Sequence, residues 1–261
     1  MTAKNNIEQI KHNIYVIRLL AKRDRRRNNS SAFLGQFWQI INPFVNMVVM
    51  AMVFTNMFGN KNFAYYPIYI LIGTMLDTLF ADGTTSCLVA LSANKNFLIN
   101  SSISRAMYPI EKVYVAFVNF AFSTIIFIIV AWYYGLKVKW TWILIIPNLF
   151  MFIMLIIGIG KILAIINVTF ADITYFYKIF TLFVFYASGI FYDTARLSPL
   201  MQQFISLNPV YVSIALARIS IMDGVIPSLS LWIKLLVYSV FVYSFGTYIY
   251  KKNISNIIEK I

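Results

Sequence analysis

Six apolar stretches, each long enough to cross ~30 Å of hydrocarbon, constrain this 261-residue chain more than any other feature. They lie near residues 34–58, 64–91, 113–134, 140–167, 175–191 and 228–250, the fifth being the shortest. Lipid offers no partner to a backbone N–H or C=O, and a helix of about 20 residues satisfies both within one segment. The pattern therefore predicts an all-α polytopic membrane protein, with one transmembrane domain over 1–261 and six transmembrane helices. Only 12% of the residues are charged, whereas a soluble domain carries about a quarter. The net charge of +13 flanks the apolar spans, which is a signature of membrane orientation and not of nucleic-acid binding. With six spans both termini share a side, and Lys and Arg divide fifteen to six in favour of that side, with Lys161 inside a span. Both termini are thus expected in the cytoplasm. The N-terminus has no apolar signal segment, so the first span is expected to persist in the mature protein.

Before the first span, residues 4–22 read as an amphipathic interface helix. Ile7, Ile10, Ile14, Ile17 and Ala21 recur at a spacing of three to four and form one stripe, flanked by Lys4, Lys11, Arg18 and Lys22. Cations beside such a stripe reach lipid phosphates while the stripe sinks into the interface. Directly after it comes a dense cluster, Lys22, Arg23, Arg25, Arg26 and Arg27, broken only by Asp24. Two readings stand for these arginines. Either they fix topology alone, since a central Arg or Lys costs roughly 2.5–3.5 kcal/mol to insert, or their planar forks bind a lipid phosphate bidentately. Phe37 and Trp38 follow within the first span, and Trp38 suits the headgroup boundary.

The longest internal connection on the basic side is 92–112. Ser101 or Ser102 would cap a short helix running through Arg105 and Met107 and ended by Pro109. Ile99, Ile103 and Met107 fall at i, i+4 and i+8, with Arg105 off that ridge. A plain loop helix has this pattern, and so does a helix shaped for a partner's groove. Residues 204–221 are apolar but broken by Asn208-Pro209 and carry Arg218, which predicts re-entrant or interfacial helices between spans 5 and 6.

Charges inside spans mark functional candidates. Asp77 and Asp82 lie in span 2 and Lys161 in span 4. Asp82 and Lys161 fall at similar depth, so the expectation is that they pair or face a water-filled conduit, the alternative being that Lys161 reaches the headgroups alone. Most aromatics at span ends read as interfacial belts. Phe183, Phe185, Tyr186, Phe191 and Tyr192 crowd the end of span 5, where packing and the lining of a sugar conduit are both open. His12 is the only histidine and Cys87 the only cysteine, so no metal, haem or internal disulfide is expected.

The segment RDRRRNNSSAFLGQFWQIINP, with Leu34-Gly35, Trp38 and Pro43, resembles the basic first-span entrance of ABC-transporter permeases that export surface polysaccharides and teichoic acids. Further similar pieces follow in order: Pro67 to Gly73, Asn94 to Pro109, Asn167 to Ile173, and Leu207-Asn-Pro-Val-Tyr211 leading to Arg218 and Gly224-Val-Ile-Pro227. Two departures are visible. Phe170-Ala171-Asp172-Ile173 lacks the arginine common in that loop, and Ser188-Gly189-Ile190-Phe191-Tyr192 replaces a Ser-Pro-Val-Ile-Tyr run.

The resemblance implies a homodimer in the bacterial cytoplasmic membrane, each permease docked on a separate ABC ATPase, two copies in all. It implies a coupling helix within 94–109, carried by Ile99, Ile103, Arg105 and Met107, and exit-gate helices over 192–227. It also implies a lipid-linked polysaccharide of O-antigen, rhamnan or teichoic-acid type as substrate. Its diphosphate would meet Arg23, Arg25, Arg26 and Arg27, and its glycan would meet Phe37, Trp38 and the span 5 aromatics. The chain has no G-x-x-x-x-G-K-[ST] loop, so ATP and Mg belong to the partner, and no cofactor or catalytic residue is expected here. The rivals are an efflux permease for a small lipid or drug and, more remotely, a polytopic enzyme acting on lipid-linked sugars. The scattered acids and the lone His12 speak against the enzyme.

Overall fold

The computed structural model describes residues 13–24, 41, 44–46, 48–50, 52–53, 65–95, 98 and 104–258. Most of the expected first span, with Phe37 and Trp38, therefore lies outside the described residues, as do Arg25, Arg26, Arg27, Ile99 and Ile103. The described residues are almost wholly helical and hold no strand. Helix α1 covers 13–24. Then come α2 (Tyr66–Leu88), α3 (Met107–Tyr133), α4 (Ile145–Thr169), α5 (Ile173–Tyr186), α6 (Pro199–Ser206), α7 (Pro209–Arg218) and α8 (Leu229–Ile258).

Among the described residues three helical runs are long and apolar enough to cross a membrane: α3, α4 with its leading 3-10 turn (Trp140–Thr169), and α8. Helix α2 has 23 residues, enough for ~34 Å at 1.5 Å per residue, but it carries Thr74, Asp77, Thr78, Asp82 and Thr84 among its apolar positions. Helix α5 has only 14 residues, ~21 Å, and stops at Tyr186 instead of running to 191. Helices α6 and α7 meet at a bend of 97° across Asn208. The side chain of Asn208 caps α7 by accepting from the Val210 N–H at 3.0 Å, and Pro209 takes the first helical position, where no N–H is needed. Helix α7 then loosens into a π turn (Ile219–Asp223) closed by Gly224.

Pro109 does not end a helix, and residues 101–103, where the expected short helix would start, lie outside the described residues. Pro109 lies in the first turn of α3, which starts at Met107, six residues before the predicted span. The first-turn N–H groups have no intrahelical acceptor, so a proline there costs nothing that the helix would otherwise gain.

Helix α2 is the centre of the bundle. Ile68, Leu71 and Leu79 are fully or almost fully buried, packed among α3, α4, α5 and α7. Helices α4 and α8 cross backbone on backbone: a Cβ on Gly158 would sit 2.6 Å from the Val242 carbonyl oxygen. In lipid, where apolar surface gains little by leaving its solvent, such small-residue contact supplies the packing that holds helices together. Asn148 and Ser213 add a bolt between α4 and α7, with the Asn148 amide donating to the Ser213 carbonyl at 3.0 Å and the Ser213 hydroxyl to Asn148 Oδ1 at 2.9 Å.

Helix α1 differs from its expected placement. Val16, Leu20 and Ala21 are buried, and Val16 and Leu20 pack with Leu91, Tyr108, Ile165 and Ile257 at the basic end of the bundle. Ile14, a member of the predicted stripe, is exposed, as are Tyr15 and Leu19. The helix therefore docks one face on the protein, and the face it leaves outward carries Arg18 and Lys22 between apolar residues.

Candidate functional site

At the basic end, three segments converge on Asp24. Arg23 donates from Nη2 to Asp24 Oδ1 at 2.8 Å, and the same nitrogen also donates to Asn94 Oδ1. Lys112 donates to the other oxygen of Asp24 and lies 3.5 Å from Glu111. Asn94 is buried and donates to the Ala90 carbonyl at 2.9 Å, which fixes the turn that follows α2. Burial pushes the Asp24 carboxyl up, but hydrogen bonds from Lys112 and Arg23, with their charges, outweigh it and hold the group below the ordinary carboxylate range. Arg23 is thus committed to neighbours within the chain. Arg105, exposed on the connection before α3, is held by its backbone, whose carbonyl accepts from the Tyr250 hydroxyl at 2.7 Å. Met107 is buried.

At the opposite end, Arg218 organises the bend. Its guanidinium is buried at the end of α7 and spends its donors on three carbonyls: Gly189 at 2.8 Å, Tyr69 at 2.9 Å and Ile190 at 3.0 Å. It also lies 3.3 Å from the centre of the Tyr69 ring, a stacked cation–π contact. Among the described residues no carboxylate pairs with it. The 187–192 turn that supplies two of these carbonyls, the third being on α2, includes Gly189 at φ +61°, a conformation that costs a side-chain-bearing residue. Tyr66 and Tyr69 tie the same turn to α2 by donating to the carbonyls of Phe191 at 2.7 Å and Tyr192 at 2.9 Å. From sequence, Arg218 stands out as a cation that fits a full crossing poorly, at the end of the run that starts at Leu207. The signal for its role was the pairing of a lone cation with an Asn-Pro helix start.

The five predicted conduit aromatics divide. Phe191 is buried and meets Phe185 edge-on at 5.0 Å, so it belongs to the core of the bend. Tyr192 is half-buried and donates to the Tyr186 carbonyl at 2.8 Å. Phe183 and Tyr186 are exposed on α5, and Phe183 meets Phe204 of α6 at 6.4 Å.

The intramembrane charges also separate. Lys161 does not pair with Asp82. It donates to Thr247 Oγ1 on α8 at 2.8 Å and sits 4.5 Å from the Tyr243 ring centre, because α8 and not α2 covers that face of α4. Asp77 is buried with Oδ1 lacking a hydrogen-bond partner among the described residues, while Asp82 opens onto a polar cleft between α2 and α3.

Residues 15–222 match the family described as ABC-2 type transporter. Two relatives from Klebsiella pneumoniae, each named O-antigen export system permease protein RfbA, are 21% and 22% identical over 207 and 209 residues, 79% and 80% of this chain and 80% of each relative. A protein of the same name from Myxococcus xanthus is 23% identical over 193 residues, 73% of this chain and 74% of its own. The helical bundle, the apolar spans and a family match running from α1 to the π turn agree, and this chain belongs to the ABC-2 type transporter family.

Proposed function

We propose that the chain is the transmembrane subunit of an ABC exporter that carries a lipid-linked surface polysaccharide across the bacterial cytoplasmic membrane. The observation that carries this reading is the family match over 15–222 together with relatives named for O-antigen export. The chain works as a homodimer with both termini in the cytoplasm, and ATP is hydrolysed on a separate subunit.

The Asp24 knot supports a route for the work. Asn94 precedes the connection between α2 and α3 and Lys112 follows it, and both are bound to the Arg23–Asp24 pair of α1. A push by the ATPase on that connection reaches α1 through side chains, and with it the arginines at 25–27 that would receive the lipid phosphate. Phe183 and Tyr186, the outward aromatics of α5, offer ring faces on which sugars stack.

The test uses a strain lacking this gene. Surface glycan should disappear while lipid-linked glycan accumulates inside, and the tagged chain in mild detergent should bring down a stoichiometric ABC ATPase. Undiminished surface glycan would overturn the reading, as would a permease that purifies alone from intact membranes. Loss of drug resistance with glycan unchanged would point instead to small-molecule efflux.

A further inference from the structure

We infer that the cleft between α2 and α3 is a binding site for the neutral, hydroxyl-rich part of the exported glycan, set apart from the place where its phosphate is held. The inference rests on the export reading above.

The cleft has a volume of about 240 Å³ and is lined by Asn46, Thr74, Thr78, Asp82, Asn119 and Ser123, with Met75, Leu79, Ala116 and Phe120 completing its walls. On α2 the polar positions fall at i, i+4 and i+8, which places Thr74, Thr78 and Asp82 on one face. Asn119 and Ser123 stand at i and i+4 on α3. Both helices are predominantly apolar and pack within the bundle, so the cleft is a polar furrow along elements that otherwise meet hydrocarbon or protein.

Hydrocarbon cannot satisfy such a furrow. The hydroxyl of Thr74 donates to its own backbone, at 3.0 Å to the Ile70 carbonyl, which leaves its oxygen free to accept. The side chains of Thr78, Asp82 and Asn119 have no hydrogen-bond partner among the described residues. Thr78 and Asp82 are exposed, and hydrocarbon set against them would leave their polar atoms without partners. Their natural complement is a ligand that both donates and accepts at many points. Amide and hydroxyl groups can serve either role, and a carboxylate accepts from paired hydroxyls, as sugar-binding surfaces require.

Charge decides which part of the substrate belongs here. Among the described residues no Lys or Arg lines the cleft, and Asp82 would repel a diphosphate. Beside the cleft lies a second cavity of about 220 Å³ that shares Met75 and Phe120 with it and is otherwise formed mainly by apolar residues such as Ile72, Phe127 and Leu149. A lipid whose tail filled that cavity and whose first sugar filled the cleft would place its phosphate at the shared apolar wall, with no cation beside it. The occupant is therefore sugar remote from the lipid end.

The experiment uses the intact permease–ATPase complex in cells. Cys87 is buried and is replaced by Ala, and T78C and N119C are introduced singly. The probe is a small cationic methanethiosulfonate, applied with and without ongoing synthesis of the lipid-linked glycan. The expected result is labelling of both cysteines that slows at least fivefold when glycan is made. In parallel, T78V and N119L should cut surface glycan at least tenfold, while the ATPase still co-purifies and T78S retains export. Labelling indifferent to glycan, with normal export by T78V and N119L, would overturn the site and leave the export reading intact. A disulfide between subunits at T78C would assign the cleft to a second copy of the chain and overturn the site as well. If the unaltered permease exports no glycan, the export reading falls and this inference falls with it.

Discussion

At the basic end, Asp24 is answered by two cations from different segments; at the opposite end, Arg218 is answered by three carbonyls and a tyrosine ring. The first knot joins side chains from three segments, and Arg23, its most open member, keeps contact with water. The second is a single buried guanidinium whose acceptors are backbone carbonyls, one of which, that of Gly189, also accepts from the Tyr69 hydroxyl at 3.3 Å. The same chemistry, charge against charge or charge against dipole, is therefore reversible at one end and structural at the other. That suits a protein in which one end receives a mechanical input and the other holds a bend in place.

The largest expected effect lies at the structural end. Arg218→Leu removes the donors to the carbonyls of Tyr69, Gly189 and Ile190, of which Gly189 keeps the Tyr69 hydroxyl, and at ~1–3 kcal/mol for an unsatisfied buried group the loss should be about 2 kcal/mol. Thermal unfolding in detergent reads it. Arg218→Lys should recover only part, because an ammonium cannot span three carbonyls as a planar fork does. Equal stability of the Leu and Lys variants would show that the donors are not what matters.

Asp24→Asn should cost about 1 kcal/mol, since the pairs it breaks are only partly sheltered from water. Faster amide hydrogen exchange over residues 13–24 would show it, with α7 unaffected. If the knot transmits the ATPase stroke, the same variant should keep ATP hydrolysis but lower export several-fold.

Raising salt to about 1 M shortens the screening length to roughly 3 Å, so exchange over 13–24 should quicken modestly while protection around Arg218 stays constant. Protection lost at both ends together would erase the distinction drawn here.

The smallest effect concerns pH. The folded carboxyl of Asp24 is held below its ordinary value, so the stabilisation it provides is present above the ordinary carboxylate pKa and fades only as pH falls through the lower folded one. Exchange over 13–24 should therefore keep its protection between pH 7 and about 5, after correction for intrinsic rates. A loss of docking near pH 6 would assign the knot to another group.

Much of the architecture was legible in the chain because apolar length is a one-dimensional property. The stretch near 140–167 became α4 with its leading turn within two residues, and that near 228–250 became α8, which starts on time and runs on to Ile258. Pro109 misled because a proline opens a helix as readily as it closes one, and the choice depended on whether residues beyond it could continue as α3. The stripe on 4–22 predicted that Ile14 and Ile17 face the interface, yet Val16 and Leu20, one step round the helix, proved to be the residues that dock on the bundle. Periodicity identifies that a face exists; it does not say whether lipid or protein covers it. Lys161 and Asp82 share a depth, but depth is one coordinate and pairing needs three. The polar positions of the cleft were visible as Thr74, Thr78 and Asp82 at four-residue spacing, but only the packing of α3 beside them turned a row into a site.

The sequence by itself determined that this chain lives in a membrane, because a bilayer punishes polar backbone and charge whatever the fold, and that cost is summed along the chain. It determined family membership for the same reason, since ordered motifs survive without coordinates. Which charge meets which partner was decided only by the tertiary structure. Arg218 finds the carbonyls of 189 and 190 across a 97° bend, and Asp24 finds Lys112 across 88 positions. Hydrogen bonds and contact ion pairs form only at separations of about 3–4 Å, and distances of that size between residues far apart in the chain exist only after the helices have packed.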